Sequence, residues 1–348
     1  MIVNLALGFA FRSSHKPSKK IYYSSLSLFL LTFSAIVFRL ELILLIAPIA
    51  FQLWFNNCIS FKRGLMIGIT SSIISLMSTI PVDTYFWKSN RILWPEFHSL
   101  LFNVYNNKAI EWGTSPFHSY FTLHLPKLLM CALPLSIISI LPKSKYLPNE
   151  TLNNKKTKYN PLSILFPPIV FISLFSYLKH KEWRFIVYII PLWNGVASLG
   201  ANRLWKLKNK KTLLMKLISL IPIISLLLNL ILTLTLTYIS INNYGGGELM
   251  IELHDVIKDI KTTNGKIGID VNVGMTGASR FLELDKNNGW NYLKDMSEND
   301  SKQIELNYFL KLKDENDDEN FIKKQVKSFN GLNKNGIKFD KEYVLKEL

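Results

Sequence analysis

The chain has 348 residues, of which 49% are hydrophobic and 13% aromatic, and its formal net charge is +16. The hydrophobic residues stand in long blocks, which is the organisation of a membrane protein. Up to residue 241 there are 25 basic and 6 acidic residues, against 16 and 19 afterwards, so the positive charge belongs to connections between apolar blocks and not to a nucleic-acid-binding face. The 2 cysteines do not indicate a disulfide framework.

Seven apolar stretches are each near the length of a membrane-spanning helix, and we expect seven spans. Before them, residues 1–11 are too short to cross a bilayer and are expected to end a helix that begins further upstream. We expect a turn at Arg39-Leu-Glu41, because one continuous helix would place two charges near the bilayer centre. The expected spans are residues 24–38, 40–55, 64–81, 122–141, 161–178, 185–199 and 217–238.

Lysine and arginine are concentrated in four connections that seven spans place on one side of the membrane, at residues 12–20, 62–63, 143–158 and 203–216. The positive-inside rule predicts that this side is cytosolic. The opposite side then receives five of the six carboxylates before residue 241, together with the carboxy-terminal tail. We therefore expect the chemistry on the non-cytosolic side, and we expect Asn299-Asp-Ser301, but not Asn149-Glu-Thr151, to be accessible for N-glycosylation.

The tail opens with Gly245-Gly-Gly247, which predicts a flexible break. Apolar residues then recur at helical spacing up to Ile260 and alternate as in a strand from Ile267 to Val273. The predicted fold is an all-α polytopic membrane region (residues 1–241), a small luminal helix–strand unit (242–293) and a polar, flexible tail (294–348).

Four ionisable residues, His180, Lys181, Glu182 and Arg184, lie between the fifth and sixth apolar stretches. A charged side chain in lipid is costly, so such residues usually face a cavity, a protein interior or a ligand. Lysine and arginine are suited to hold a phosphate, arginine through its planar fork and lysine as a point charge. The structural alternative is a hairpin turn whose basic side chains reach back to the membrane surface.

The loop of residues 82–121 interleaves carboxylates and aromatic rings. Aromatic rings stack on the C–H faces of sugars and carboxylates accept hydrogen bonds from hydroxyls, so this loop beside a phosphate site predicts a lipid-linked sugar phosphate. The alternative is that the aromatic residues are anchors at the membrane interface. The candidate residues of the loop are Asp83, Trp94, Glu96, Glu111 and Trp112.

Other chemistries have less support in the sequence. It contains no Walker or dinucleotide-binding loop, no HExxH pair and no nucleophile elbow. His98, His118 and His124 are spread through a loop and a span, and a metal shared by them is a minor alternative. We therefore expect neither a metal site nor a cofactor.

The stretch HKEWRF (residues 180–185) resembles the HKExRF signature of the dolichyl-phosphate-mannose-dependent mannosyltransferases, polytopic enzymes of the endoplasmic reticulum of the GT-C type, glycosyltransferase family 22. Trp183 and several longer stretches most resemble the branch that adds the eighth mannose, in α-1,6 linkage, to the dolichol-linked N-glycan precursor. These stretches are FRLE (38–41), VDTYFW (82–87), LWPE (93–96), FNVYNNK (102–108) and EWGTSPFHSYF (111–121).

The resemblance implies inverting transfer of mannose from dolichyl phosphate mannose to the dolichol-diphosphate-linked heptamannosyl oligosaccharide, at the luminal membrane surface and in contact with membrane lipid. A carboxylate would accept the proton of the acceptor hydroxyl. The donor-site signature falls on His180, Lys181, Glu182 and Arg184. Further substrate-binding candidates are Arg39, Glu41, Trp94, Glu111 and Trp112.

Family members carry the acidic residue assigned as catalytic base in a first luminal loop, which we expect upstream of Met1. The base therefore stays unassigned, and Asp83, Glu96 and Glu182 are supporting candidates. The alternatives are an inactive or truncated family member, a sibling α-1,2-mannosyltransferase of N-glycan or GPI assembly, and a non-catalytic polytopic protein such as a lipid-binding scaffold or transporter.

Overall fold

The structure is a computed structural model that describes residues 1–142, 160–258, 260, 264–284, 289–297, 304–313, 321–328, 331–333, 336–338 and 341–347; the side chains of residues 111, 112, 331–333 and 336–338 lie outside this description. The chain divides into two compact units, Met1–Asn229 and Leu230–Leu348. The first is helical, and the second joins the end of a long apolar helix to a small α/β fold. The division falls within that helix, twelve residues before the boundary expected at residue 241.

The helices of the first unit follow the apolar blocks of the sequence. Between them lie short 3-10 and π-helical turns, including Leu40–Leu42, Leu101–Tyr105, Lys108–Trp112, Tyr120–His124 and Trp183–Ile189. The α-helices are α1 (Ile2–His15), α2 (Lys20–Val37), α3 (Ile43–Phe55), α4 (Phe61–Phe86), α5 (Pro95–Leu100), α6 (Leu125–Leu129), α7 (Ala132–Ile140), α8 (Pro161–Phe175), α9 (Ile190–Trp205), α10 (Leu213–Ile218) and α11 (Ile221–Ile241), the last of which continues into the second unit.

Within the described ranges, four helical segments are long and apolar enough to cross a membrane: Pro17–Val37, Phe61–Phe86, Trp183–Asn209 and Leu213–Ile257. Tyr120–Leu129 and Ala132–Ile140 form a fifth candidate bent by 109°, whereas Leu40–Phe55 and Pro161–Phe175 are apolar but shorter. The chain is thus a largely helical membrane protein. All seven expected spans fall on apolar helical segments, but the number of crossings is four or five by length, so the structure does not establish seven.

The expected turn between the first two apolar stretches is present. Helix α2 ends at Val37, Arg39 is extended with φ of −157°, and α3 begins at Ile43 after one 3-10 turn. The two charged side chains of this turn, Arg39 and Glu41, are joined by an ion pair of 3.4 Å between Nε and Oε1. The break therefore places both charges at a helix end and pairs them.

The second unit is built on one mixed sheet. Its strands lie in the order β2 (Trp290–Met296), β1 (Gly265–Asp270), β3 (Tyr308–Leu312), β7 (Lys341–Glu347) and β4 (Ile322–Ser328). Strand β1 is parallel to β2 and β3, and β7 is antiparallel to β3 and β4. Helix α12 (Gly245–Ile257) packs against this sheet through Leu249, Leu253 and Ile257. The other elements are α13 (Val271–Met275), β5 (Gly331–Asn333) and β6 (Gly336–Lys338), with β5 and β6 forming a separate hairpin.

The glycine run was wrongly expected to be a flexible break. Gly245 and Gly246 are buried in the first turn of α12, where a Cβ on Gly246 would lie 2.1 Å from the carbonyl oxygen of Val273. The strand expected to reach Val273 ends at Asp270, because the Asp270 side chain accepts a hydrogen bond from the Asn272 amide and caps α13. The glycines therefore permit close packing of backbone on backbone.

The expected division at residue 293 is also wrong, because it falls inside β2. Residues after 294 supply β3, β4 and β7, and Tyr308, Leu310, Tyr343 and Leu345 are buried in the same core as α12. The described part of residues 294–348 is therefore a structural part of the sheet. The polar composition of this region suggested a flexible tail because the edge strand β4 exposes lysines, as edge strands commonly do.

Candidate functional site

Two segments far apart in the sequence are joined at the loop between α8 and the 3-10 turn Trp183–Ile189. The amide of Ser115 donates to the carbonyl oxygen of Lys179 (2.9 Å), and Nζ of Lys181 donates to the carbonyl oxygen of Ser115 (3.1 Å). Nδ1 of His180 donates to the carbonyl oxygen of Gly113 (3.2 Å). These three hydrogen bonds connect EWGTSP to HKEWRF, and we call this connection the motif clamp.

Lys181 lies inside the motif clamp and not on the surface. The residue is 7% exposed, its Nζ also donates to the carbonyl oxygen of Leu178 (2.6 Å), and it lies 5.9 Å from the ring centroid of Tyr120. Burial lowers the pKa of the Lys181 ammonium. Its charge is used to hold backbone carbonyls, which is a structural role.

Glu182 contacts both His180 and Arg184 of the motif. Nε2 of His180 lies 3.0 Å from its Oε1, Nη2 of Arg184 donates to the same oxygen (2.7 Å), and Nε of Arg184 contacts Oε2. Burial acts to raise the pKa of Glu182, but the hydrogen bonds from His180 and Arg184 outweigh it and hold the pKa below its ordinary value. Both ring nitrogens of His180 therefore face acceptor oxygens.

Arg184 differs from Lys181 in its exposure. Its side chain is 59% exposed although Glu182 holds one edge of the guanidinium in a bidentate pair. The guanidinium also lies 5.7 Å from the ring centroid of Phe185, and the guanidinium of Arg39 approaches the same ring at 5.7 Å. Arg184 is therefore held in a fixed orientation while its outer N–H groups face outward, as anion binding requires.

A cavity of about 120 Å³ opens beside the motif clamp. It brings the α2–α3 turn, α5 and the loop after α8 together. Of the predicted site residues, Arg39, Glu41, Glu96 and His180 line it, whereas Lys181 and Arg184 do not. The remaining lining residues are Leu40, Ser99, Leu100, Asn103, Val104, Ala109, Phe175, Leu178 and Phe185.

Glu96 is the carboxylate with the most perturbed surroundings in this cavity. It accepts a hydrogen bond from the amide of Leu40 (3.2 Å). Burial raises the pKa of Glu96, and the neighbouring carboxylates Glu41 and Asp83 raise it further, although the Leu40 amide and Arg39 act against them. A raised carboxyl pKa is common among groups that exchange protons with a substrate and also occurs in structural clusters.

Two further predicted residues, Asp83 and Trp94, have structural partners. Asp83 lies in α4 and accepts a hydrogen bond from the Thr79 hydroxyl (2.7 Å). Nε1 of Trp94 donates to the carbonyl oxygen of Ile36 at the end of α2 (3.0 Å), and its ring stacks on Phe97 at 5.5 Å. Trp94 therefore ties the loop to α2. Glu111 and Trp112 belong to the 3-10 turn Lys108–Trp112, and their side chains lie outside the described part of the structure.

Sequence reasoning did not single out Phe185 and Tyr188. Phe185 lies between the two arginines, and Tyr188 lies close enough to Arg39 to interact with it electrostatically. The position of Phe185 at the end of the HKEWRF motif could have identified it as a site residue. Tyr188 stands in an apolar run, and no sequence pattern marks it. In the described part of the chain, His, Cys, Asp and Glu form no group of three or more suited to a metal.

A larger cavity of about 350 Å³ lies at the other end of α3, and none of the predicted site residues lines it. Gln52 and Asn56, at the end of α3, and Leu7 of α1 are among its lining residues. Helix α3 has 13 residues and is about 20 Å long; the smaller cavity adjoins the turn before it, and the larger one is lined by its second half. Only the smaller one carries the residues of the predicted chemistry.

Comparison with known proteins gives a consistent result. The family model of the Alg9-like mannosyltransferases matches residues 1–280. The protein named Dol-P-Man:Man(7)GlcNAc(2)-PP-Dol alpha-1,6-mannosyltransferase is 32% identical in Drosophila melanogaster, over 86% of this chain and 39% of that protein. Its namesake in Saccharomyces cerevisiae is 33% identical over 81% of this chain and 47% of that protein.

GPI mannosyltransferase 3 of Candida glabrata is 29% identical over 46% of this chain and 25% of that protein. No solved structure matches the chain. The chain spans about half, or less, of the length of the two alpha-1,6-mannosyltransferases described above. Since the family model covers most of the sequence, the chain belongs to the Alg9-like mannosyltransferase family.

Proposed function

We propose that this protein transfers mannose from dolichyl phosphate mannose to the Man7GlcNAc2 oligosaccharide carried by dolichol diphosphate, in α-1,6 linkage. The observation that carries the proposal is the motif clamp beside a cavity with two carboxylates and a fixed, outward-facing arginine. The names of the relatives that match over most of the chain supply the substrates. We propose the endoplasmic reticulum membrane as its location, with the cavity on the luminal side.

In this proposal Arg184 binds the phosphate of the donor. Its guanidinium is exposed and its orientation is held by Glu182. As the bond between C1 of mannose and the phosphate oxygen breaks, the electron pair leaves with dolichyl phosphate, and negative charge builds on that group. A fixed cation at this point stabilises the transition state more than the ground state.

The cavity carboxylates are suited to the sugar. Glu96 and Glu41 are held by the Leu40 amide and by Arg39, and their remaining oxygen lone pairs are suited to accept hydrogen bonds from hydroxyl groups. The acceptor hydroxyl attacks C1 while its proton passes to a base. We leave that base unassigned, and we assign supporting roles to Asp83, Glu96 and Glu182.

Lys181 and His180 receive a positioning role in the proposal. Because both contact backbone carbonyls of the EWGTSP segment, they hold HKEWRF in place and do not reach the donor phosphate themselves. Arg39, Trp94, Glu111 and Trp112 remain proposed substrate-binding residues, with Trp94 acting through its tie to α2.

The test is a transfer assay in yeast membranes that lack their own α-1,6 enzyme. Radiolabelled dolichyl phosphate mannose and the Man7GlcNAc2 lipid are the substrates, and the released glycans are separated by size. We expect a Man8 glycan whose new residue is removed by an α-1,6-specific mannosidase. No Man8 above the membranes without this protein contradicts the activity, and a product resistant to that mannosidase contradicts the linkage.

A further inference from the structure

The segment 271–282, which follows β1, combines deep anchors with strongly exposed apolar side chains. Val273 and Ala278 are buried in the core under α12, whereas Met275 is 80% and Phe281 99% exposed. Arg280 is exposed next to Phe281. We call this segment the exposed loop. Met275 and Phe281 expose large apolar surfaces near a cation, and exposing apolar surface to water is unfavourable.

The exposed loop is attached to the first turn of α12. The amide of Gly246 donates to Oγ1 of Thr276 (3.2 Å), and the amide of Gly247 donates to the carbonyl oxygen of Thr276 (3.1 Å). These amides belong to the helix N-terminus, where donors have no partner inside the helix. Gly277 supports the turn with φ of +111°. Hydrogen bonds to α12 therefore hold the exposed loop in a fixed position.

The position of α12 in turn is tied to the membrane. Three residues, 242–244, separate its first residue, Gly245, from the end of α11 at Ile241. Four backbone steps reach at most about 15 Å. Helix α11 contains no charged residue and carries exposed leucines along its length, as a lipid-facing span does. The exposed loop is therefore attached to a helix that begins within about 15 Å of the end of α11.

The same unit has a distal end, which is the end opposite the exposed loop. Helix α12 has 13 residues and runs about 20 Å before the chain returns along β1, so the beginnings of β1 and β2 lie at the distal end. Asn291 in β2, paired with Lys266 in β1, is exposed there. Asn291 is therefore an exposed polar position far from the exposed loop. Elsewhere in this unit the apolar residues Ile260, Ile304 and Phe321 are 44%, 38% and 53% exposed, less than Met275 and Phe281.

We propose that the exposed loop is a membrane-surface contact. Met275 and Phe281 enter the headgroup region of the bilayer, and Arg280 lies against lipid phosphate. Apolar side chains beside basic ones are typical of segments that rest on a bilayer, where apolar burial and attraction to phosphate act together. The contact holds the α/β unit against the membrane close to the end of α11.

The test uses the full chain in nanodiscs that contain an alkyne-bearing phosphatidylcholine. The photocrosslinking amino acid p-benzoylphenylalanine replaces Phe281, Met275 or, as the matched control, Asn291. After irradiation, a fluorescent azide marks protein that has captured lipid. We expect a lipid adduct severalfold stronger for Phe281→p-benzoylphenylalanine and Met275→p-benzoylphenylalanine than for the Asn291 variant.

Two outcomes overturn the proposal. One is lipid capture at positions 275 and 281 no greater than at 291. The other is capture of peptides from this chain in place of lipid, detected by mass spectrometry, which assigns the surface to a protein contact. Positions 275 and 281 are tested separately, so that a folding defect in one variant, visible by size-exclusion chromatography, leaves the other as the test. Neither readout depends on mannose transfer.

Discussion

Two basic residues of one short motif have different physical roles. Lys181 is buried and donates to the carbonyl oxygens of Ser115 and Leu178, whereas Arg184 is exposed and paired with Glu182. Both were expected to hold a donor phosphate, and the geometry favours only Arg184 as the phosphate-binding residue. Loss of Arg184 should therefore affect catalysis, and loss of Lys181 should affect folding.

Arg184→Ala should reduce mannose transfer by roughly thirty- to a thousandfold, which corresponds to about 2–4 kcal/mol of transition-state stabilisation. Arg184→Lys should lie between this variant and the unmodified protein, because lysine keeps the charge and loses the planar fork. Lys179→Ala is the matched control, since Lys179 is a neighbouring exposed cation. The measurement is the initial rate at equal membrane abundance. Near-full transfer by Arg184→Ala would favour the hairpin-turn interpretation.

Lys181→Met should lower the free energy of unfolding by about 1–3 kcal/mol, because two partly buried carbonyl groups lose a donor. The apparent Tm in detergent should fall, and the Tm of Arg184→Ala should hardly change, since exposed ion pairs contribute about 0–1 kcal/mol. Thermal unfolding followed by intrinsic fluorescence checks both. An unchanged Tm for Lys181→Met, together with weaker binding of the lipid donor, would make Lys181 a phosphate ligand after all.

Pairs of elements explain how a mostly apolar chain acquires specific contacts. At the end of α7, the buried guanidinium of Arg203 in α9 donates to the carbonyl oxygens of Ile138, Ser139 and Leu141 at 2.7, 3.0 and 2.8 Å. These oxygens have no amide partner within α7, because the last turn of a helix lacks one. A residue expected to be part of a basic connection is thus the cap of a neighbouring helix.

The packing of α9 on α7 requires a glycine at position 200. A Cβ on Gly200 would lie 1.9 Å from the carbonyl oxygen of Leu135, so Gly200→Ala must separate α7 from α9. We expect a loss of about 1–3 kcal/mol in unfolding free energy. Gly195→Ala in the same helix is the control, because its Cβ meets nothing within 4 Å. Thermal unfolding of both variants in detergent compares them; equal Tm values would refute the close packing of α7 on α9.

The whole molecule combines a helical membrane unit with an α/β unit, and the side of the membrane on which each end of the chain lies stays a prediction from the charge distribution. Asn149 and Asn299, the two native glycosylation signals, lie outside the described residues. Residues 291–293 read Asn-Tyr-Leu in β2, and Leu293→Thr creates a new acceptor triplet there. Glycosylation at this position reports directly on the side of the membrane where the α/β unit lies.

In microsomes, Leu293→Thr combined with Asn299→Gln should acquire an endoglycosidase-sensitive mobility shift that Asn299→Gln alone lacks. The reason is that the positive-inside rule places the tail in the lumen, where the acceptor is modified. Asn149→Gln should leave the mobility of the protein unchanged. Modification at Asn149 with none at Asn291 would invert the orientation and move the proposed chemistry to the other side of the membrane.

Local sequence determined much of this protein. Apolar blocks of helical length indicated where helices lie, since burial of apolar surface in lipid depends on composition over about twenty residues. The turn at Arg39-Leu-Glu41 followed from the cost of two charges in a bilayer, and it is present between α2 and α3. The motif HKEWRF and its companions predicted the family, which the comparison confirmed.

Only the tertiary structure decided how distant segments meet. The motif clamp joins residues 113–115 to 179–181, and β7 inserts between β3 and β4, contacts that no local pattern encodes. Burial of Lys181, and the raised pKa of Glu96 beside Glu41 and Asp83, follow from those contacts. Composition and periodicity report the environment of a residue along its own helix or strand, whereas hydrogen-bond partners and charge coupling depend on distances that are set only when the elements pack.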